Sequence, residues 1–205
     1  SAIYGQAPIL LNNSRSLLPE VKDELKRLGA AKVIIIGGTI AISPNVENAI
    51  ISLGIDTERI AGQTRVETNL RIVEKLDSVE GVFVASARSF PDALASAPIA
   101  AANNWAIVLT EQNNISAEAL NYLKGKKTVI LGGSVVVSDS IKNQLVQQNG
   151  TQNVVRLAGS NRYETLASIL WYFKDQMKSD TINIATGANF PDALTAAPLS
   201  IQNKA

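Results

Sequence analysis

Two charged residues recur in the same local setting in both halves of this 205-residue chain. An aspartate follows Phe-Pro at Asp92 and at Asp192, and an arginine follows Ala-Gly-x-x at Arg65 and at Arg162. A carboxylate can serve as a general acid or base, and a guanidinium can hold an anion through two parallel N–H donors. These four side chains are therefore the first candidates for chemistry or for binding.

The composition excludes most of the catalytic arrangements that would use those aspartates. The chain has no histidine and no cysteine, which removes histidine-dependent triads, thiol chemistry, disulfides and the commonest zinc ligand. No partner carboxylate or base accompanies Asp92 or Asp192 locally, and a catalytic acid needs one to tune its pKa. We predict no enzyme, metal site or cofactor, and a structural or inter-module role for these aspartates, Glu67 and Glu164.

The duplicated arginines require an explanation of their own. Arg65 and Arg162 open predicted helices, after the N-cap residues Thr64 and Asn161. The positive end of the helix dipole disfavours a cation in the first turn, so an arginine there in both copies needs a specific partner. One interpretation is a structural ion pair with one of the repeated aspartates, and the other is an anionic ligand held by the guanidinium fork.

Paired glycines follow two apolar strands, at Gly37-Gly38 and at Gly132-Gly133. A strand–glycine–helix junction can present backbone N–H groups to a phosphate. However, neither pair belongs to a G-x-G-x-x-G sequence, and no Walker lysine follows. The pattern favours glycines that let the chain turn off a strand.

The chain contains an internal repeat the size of a small domain. The arginine motif recurs 97 residues on (65 to 162), the Phe-Pro-Asp-Ala-Leu motif 100 (90 to 190) and the Gly-Gly pair 95 (37 to 132). These spacings are far longer than those of solenoid repeats. Repeated modules of this size suggest linked binding units, which gain affinity through effective concentration.

Apolar β-branched runs alternate with helical patterns along the whole chain, which predicts an α/β fold with a doubly wound parallel sheet. The predicted strands are Pro8–Leu11, Val33–Ile36, Arg59–Ala61, Val82–Ser86, Ala106–Thr110, Thr128–Leu131, Val154–Leu157 and Ile182–Thr186. The predicted helices lie near 17–28, 44–53, 64–76, 91–103, 116–124, 138–148, 162–177 and 191–203.

The period also predicts how these elements divide into modules. Residues 62–157 hold one full cycle of helices and strands, and we expect them to form a complete module. Residues 1–61 and 158–205 hold complementary parts of a second cycle, so we expect the two terminal segments to assemble a second module. A chain that begins and ends in mid-repeat is expected to be part of a longer protein.

The net charge of the chain is too small to attract a charged partner strongly. A net charge of +1 does not favour nucleic acid or an acidic membrane surface, and no uninterrupted apolar run is long enough to span a bilayer. We therefore predict neither nucleic acid nor membrane as a partner. Any anion-binding site must be local.

Taken in order, these motifs resemble a known family. Arg-Ile-Ala-Gly-x-x-Arg-x-Glu-Thr (Leu for Ile in the second copy), Phe-Pro-Asp-Ala-Leu-x-x-Ala-Pro, an Ile-Leu-Leu-like strand and a Gly-Gly strand end resemble the cell-wall-binding repeat type 2 family over nearly the whole chain. The resemblance implies Rossmann-like modules, usually three, packed as a pseudo-threefold trimer. It also implies an extracellular, S-layer-associated surface protein of Gram-positive bacteria, anchored noncovalently to the wall through an anionic secondary polymer. The expected partners are that polymer and neighbouring repeat modules, including self-association.

The resemblance also assigns candidate polymer-binding residues. The Ile-Leu-Leu element falls on Ile9, Leu10 and Leu11, and in the second copy on Ile107, Val108 and Leu109, where the middle residue departs from the pattern. From the residues alone, an apolar tripeptide in a parallel strand is typical of core. Because the expected ligand is anionic, we place the binding energy near the duplicated arginines introduced above.

Two other functions are compatible with these observations. One is a purely structural module that packs against its neighbours and has no polymer site. The other is a nucleotide-dependent enzyme, because a Rossmann-like fold alone does not exclude one.

Overall fold

The computed structural model describes residues 7–76, 78–177, 180–189 and 192–193. The chain divides into two compact units. The first unit comprises residues 8–72, and the second unit comprises the described residues from 73 onward.

The first unit is built on a pair of parallel strands. Its helices and strands are α1 (Pro19–Arg27), β1 (Lys32–Ile36), α2 (Pro44–Ile51), β2 (Asp56–Ile60) and α3 (Arg65–Val73), the last of which ends at the unit boundary. In the two-stranded sheet, Val33 is in register with Thr57 and Ile36 with Ile60. The helices cover a small core of buried aliphatic side chains: Leu25, Ile35, Val46, Ile50 and Ile55.

The second unit contains a four-stranded parallel sheet with the strand order β4-β3-β5-β6. In this order β4 lies on one side of β3, and β5 and β6 lie on the other side, so the sheet is doubly wound. The predicted α/β class with Rossmann-like parallel-sheet modules is therefore confirmed. The elements are β3 (Gly81–Ser86), α4 (Phe90–Ala102), β4 (Trp105–Thr110), α5 (Ala117–Leu123), β5 (Thr128–Leu131), α6 (Asp139–Asn149), β6 (Val154–Leu157) and α7 (Arg162–Tyr172).

An aromatic cluster ties the end of α7 to this sheet. Phe83 and Phe173 are fully buried, and their ring centroids lie 5.4 Å apart in an edge contact. Trp105 lies 4.9 Å from Phe83 and 5.3 Å from Phe173. The Trp105 ring crosses the start of β3 so closely that a Cβ on Gly81 would overlap it. Glycine at this position therefore makes room for the cluster.

Two of the predicted strands are wrong. Residues 8–11 and 182–186 have no strand structure, and the side chains of Ile182 and Ile184 are 84% and 94% exposed. Both segments are apolar, but a parallel strand forms only where a neighbour offers a hydrogen-bonding edge. The other predicted strands are confirmed within a few residues, and the helix predicted at 162–177 is shorter, because α7 ends at Tyr172. The helix predicted near 191–203 lies outside the described residues except for 192–193.

The structure groups the chain differently from the predicted module boundaries. The described residues of 158–177 belong to the second unit, where α7 packs against α4 and β6. The assembly of a module from residues 1–61 and 158–205 stays a prediction.

Candidate functional site

The repeated arginine motif builds a capped helix start at α3. Glu67 accepts a hydrogen bond from the Gln63 N–H (2.7 Å), and Thr64 Oγ1 accepts one from the Glu67 N–H (3.2 Å). This reciprocal pattern satisfies N–H groups that a helix start otherwise leaves unpaired. Thr68 Oγ1 accepts a further bond from the Gly62 N–H at 2.9 Å.

The second copy repeats the same arrangement at α7. Asn161 Oδ1 accepts hydrogen bonds from two backbone N–H groups of the first turn, and Glu164 Oε2 accepts one from the Ser160 N–H at 2.8 Å. Hydrogen bonds from the backbone and the side chain of Ser160 lower the pKa of Glu164. Thr165 Oγ1 accepts from the Gly159 N–H at 3.1 Å, and a Cβ on Gly159 would overlap Glu164. The glycine, glutamate and threonine of the motif thus stabilise the start of the helix, whereas the arginine takes no part in the capping hydrogen bonds.

Arg162 lies where three segments of the second unit meet. Its Nη1 donates to the Gly187 carbonyl at 2.6 Å, and its guanidinium carbon lies 6.0 Å from the centroid of the Phe90 ring. The side chain lines a cleft of about 1170 Å³, together with apolar residues of α4 and α7 and with residues 181–187. Arg162 is exposed and so is accessible to a ligand.

Asp92 lies in the first turn of α4 and is only 8% exposed. Burial raises the pKa of this carboxyl, and the positive charge of Arg162 partly opposes that effect. A Cβ on Gly132 would lie 2.9 Å from Asp92 Oδ2, so the carboxylate packs directly on the Gly132 turn. Arg162 therefore acts electrostatically on Asp92, and no hydrogen bond between their side chains occurs among the described residues.

Arg65 and Asp192 are the remaining members of the duplicated charged pairs. Arg65 is the exposed first residue of α3 in the first unit. Asp192 is exposed, in a segment of which only residues 192–193 are described.

The two Ile-Leu-Leu elements are placed differently. In the first unit, Ile9 and Leu11 are 50% and 56% exposed, and Leu10 packs against the core. In the second unit the element forms part of β4: Val108 is 1% exposed, and Ile107 and Leu109 pack against the core around Phe83. The tripeptide of the second copy is therefore mainly a core element.

Sequence reasoning quoted a second duplicated arginine, in the strands, but gave it no role. Arg59 donates from Nη1 to the Gly37 carbonyl at 2.7 Å, and Arg156 makes the same bond to the Gly132 carbonyl at 2.7 Å. Arg59 also pairs with Glu47 at 2.7 Å, and Arg156 with Asp139 at 3.2 Å. The signal was present in the sequence, since Arg-[Ile/Leu]-Ala-Gly recurs at the same spacing as the helix motif (59 to 156). These arginines stabilise the glycine turns, so the carbonyls of Gly37 and Gly132 have a structural role.

Within the residues that the structure describes, no cluster of three or more His, Cys, Asp or Glu side chains is placed to hold a metal ion. Likewise, none of the described helices is long and apolar enough to cross a membrane.

The geometry is that of a repeated binding or packing module, in which each α/β repeat opens with a capped helix and an exposed arginine. The family model for cell wall binding domain 2 (CWB2) matches residues 59–142 and 156–205. The chain belongs to this cell wall binding family, as its resemblance to the cell-wall-binding repeat type 2 family predicted.

The relatives extend over nearly the whole chain. It is 34% identical to the N-acetylmuramoyl-L-alanine amidase LytC of Bacillus subtilis (strain 168) over 99% of its length, and 34% identical to the amidase enhancer of the same organism over 95%. It spans 40% and 26% of those two proteins.

Two solved structures have the same fold. Cwp8 from Clostridium difficile matches 99% of this chain with a TM-score of 0.85 and 32% identity, and Cwp6 from the same organism matches 100% with a TM-score of 0.82 and 30% identity. The chain covers 36% of Cwp8 and 33% of Cwp6.

Proposed function

We propose that this chain is a noncovalent anchor, which holds an extracellular surface protein on a Gram-positive wall by binding an anionic secondary wall polymer. Membership of a cell wall binding family supports association with the wall. An amidase and an amidase enhancer both contain a stretch similar to nearly the whole chain, although their names give them different roles. A segment common to both is better suited to wall attachment than to catalysis, so we propose a binding module and not an enzyme.

The observation that carries the polymer proposal is the exposed arginine at the start of each repeat. Capping already satisfies the helix starts of α3 and α7 without Arg65 or Arg162. An arginine there works against the helix dipole, and a guanidinium exposed beside a cleft is suited to phosphate or carboxylate groups. Two linked sites would bind a repeating polymer more tightly than either site alone.

The test is pull-down of the chain by purified walls, with and without their secondary polymer. We expect the variants Arg65→Glu and Arg162→Glu each to weaken binding to intact walls by about tenfold, the loss of one charge-assisted contact. Raised salt should weaken the wild type as well, because it screens exposed charges. Arg71→Glu is the matched control, since it makes the same charge change at an exposed position of α3 and should bind like the wild type.

The second candidate is a packing module without a polymer site. It is favoured by two interactions that Arg162 makes inside its own unit. The guanidinium donates a hydrogen bond to the Gly187 carbonyl, and its charge attracts the Asp92 carboxylate. In that case the double arginine variant would bind walls unchanged at high salt, and only its melting temperature would fall. A nucleotide enzyme would instead show stabilisation by nucleotide, by about 2.7 kcal/mol at 100 times the dissociation constant.

A further inference from the structure

The end of α7 presents large aromatic side chains to solvent. Trp171 is 72% exposed and the neighbouring Tyr172 is 48% exposed. Side chains of this size are usually buried in part, and clustered exposed aromatic surface marks a place where something binds. Neither residue belongs to the repeated motifs discussed above.

The fold fixes the backbone at the end of α7 and holds Tyr172 against the core. Phe173, the next residue, is 1% exposed and is locked between the rings of Phe83 and Trp105. Tyr172 makes an edge contact with Phe173, with ring centroids 4.9 Å apart and planes at 71°. A side chain held in this way loses little conformational entropy when a ligand binds.

A positive charge lies against Trp171. The Lys174 ammonium nitrogen lies 4.0 Å from the centroid of the Trp171 ring, in a cation–π contact. Because Lys174 covers one face of the indole, a sugar ring would pack its C–H groups on the opposite face, and the ammonium would attract an anionic substituent that reaches past the ring edge. The combination matches a ring-shaped ligand that carries a negative charge.

The other copy of the repeat shows that the fold does not require these aromatic residues. At the spacing of 97 residues, Trp171 and Tyr172 correspond to Glu74 and Lys75 in the first copy, whereas the buried Phe173 corresponds to Leu76. The apolar character is kept at the core position, and only the exposed positions change class. The aromatic pair is therefore a specialisation of the second copy.

We propose that Trp171, Tyr172 and Lys174 form a saccharide-binding platform, the α7 platform, for an anionic sugar unit. The ligand class is a pyranose ring bearing a phosphate or carboxylate, with the ring packed on the aromatic side chains and the anion near Lys174. The assignment of this ligand to the secondary polymer rests on the proposed function. Trp171 is nine residues after Arg162 on α7, which places the two side chains on opposite sides of the helix, so the platform is a contact point separate from the arginine.

The direct test uses the full chain and the fluorescence of its two tryptophans. Anionic oligosaccharide fragments, released from purified Gram-positive walls by mild acid, are titrated into the wild type and into Trp171→Phe. The difference between the two titrations isolates the signal of Trp171, and we expect a change in its emission and protection from acrylamide quenching on binding. In Trp171→Ala we expect the affinity for the fragments to fall by about tenfold.

Two further variants separate the components of the platform. The double variant Trp171→Glu/Tyr172→Lys carries the residues of the first copy, so it keeps residue types that the fold accepts while removing the aromatic surface. It should lose fragment binding and stay cooperatively folded, with a melting temperature lowered only by the loss of the Tyr172–Phe173 contact. Lys174→Gln should keep binding neutral oligosaccharides of the same length and lose the preference for anionic ones.

The outcomes distinguish this platform from the proposed anchor. If the wild type binds walls and fragments through the arginines while Trp171 emission is unmoved and platform variants bind normally, the platform is wrong and the anchor stands. If the wild type binds neither walls nor fragments, both proposals fail. A Trp171 signal that depends on protein concentration, with a sedimentation coefficient that falls in Trp171→Ala, would make the surface a contact with a second copy and overturn the saccharide assignment.

Discussion

Asp92 shows how burial changes the chemistry of a single residue. The carboxylate lies in the first turn of α4, where the helix dipole favours its charge, but the residue is only 8% exposed and its side chain receives no hydrogen bond among the described contacts. Desolvation raises the pKa of Asp92 by more than the helix dipole and the positive charge of Arg162 lower it, so the net shift is upward. The sequence identified this residue as part of a helix start, but the energetic cost of its position depends on the Gly132 turn that packs on it.

Asp92→Asn should therefore stabilise the protein at neutral pH. A carboxyl whose pKa is higher in the folded state than its ordinary value of 3.8 adds stability below that ordinary value, and this is lost as the pH rises through the folded-state pKa. The asparagine variant lacks that loss, so its free energy of unfolding at pH 7 should exceed that of the wild type by on the order of 1 kcal/mol. Denaturant unfolding at a series of pH values measures the difference.

Glu164→Gln is the control with the opposite sign. Hydrogen bonds from Ser160 lower the pKa of Glu164, so its contribution is present at neutral pH and is lost as the pH falls through the folded-state pKa. The glutamine variant should be less stable than the wild type at pH 7 and equal to it in acid. An Asp92→Asn variant that is destabilised at neutral pH would contradict our account of the aspartate.

At the scale of elements, the main effect of the repeated arginine motif is to begin a helix. The N-caps at Thr64 and Asn161 could be predicted from the sequence because N-capping depends on local residue types. The need for Gly62 and Gly159 was not apparent, since it follows from the close return of the first helical turn onto the preceding backbone. Local chemistry is readable in a sequence, whereas close approaches between backbone segments are visible only in the structure.

Gly159→Ala should destabilise the second unit by about 2 kcal/mol, because the added Cβ would meet the Glu164 backbone carbon at 2.6 Å as well as its side chain. Gly62→Ala should do the same at the start of α3. Gly133→Ala is the matched control, since a Cβ there has nothing within 4 Å. Thermal unfolding of the three variants gives the comparison, and equal melting temperatures for Gly159→Ala and Gly133→Ala would refute the steric argument.

The sequence predicted the α/β class, the strands of the second unit and most helices, because apolar periodicity and turn residues are local signals. It failed at residues 8–11 and 182–186, where apolar composition alone does not supply a strand partner. It also gave no role to Arg59 and Arg156, because that role depends on glycine carbonyls more than twenty residues away. At Arg162 it predicted a partner of opposite charge and left open which one, and the structure places that arginine near Asp92 and the Gly187 carbonyl.

For the whole molecule, the repeat exposes an asymmetry between the two sheets. In the second unit β5 pairs with both β6 and β3, whereas its counterpart β1 in the first unit pairs with β2 in a two-stranded sheet. At the spacing of 100 residues, the counterpart of β3 is the segment 182–186. This correspondence is the physical reason to keep the prediction that residues 158–205 complete a module with residues 1–61, within one chain or between two.

Truncation tests that prediction in two steps. A chain ending at Ser160 loses α7 and the Phe173 contacts, so it should be less soluble and less cooperatively folded under either model. A chain ending at Met177 keeps α7 and the aromatic cluster and lacks only the tail. If the tail completes a module, this second truncation should still lower the melting temperature or broaden the transition in calorimetry. Unfolding as cooperative as that of the full chain would exclude the complementation model.

The contact between Phe83 and Phe173 also has a consequence for synthesis. These two rings are ninety residues apart in sequence (83 to 173) and meet in the core of the second unit. At ordinary translation rates, roughly 5–20 s pass between the appearance of the first ring and that of the second. During that interval the sheet lacks its covering helix, and long-range closure of this kind is intrinsically slow. A nascent chain in that interval therefore leaves the apolar surface around Phe83 without the ring of Phe173 that later packs on it.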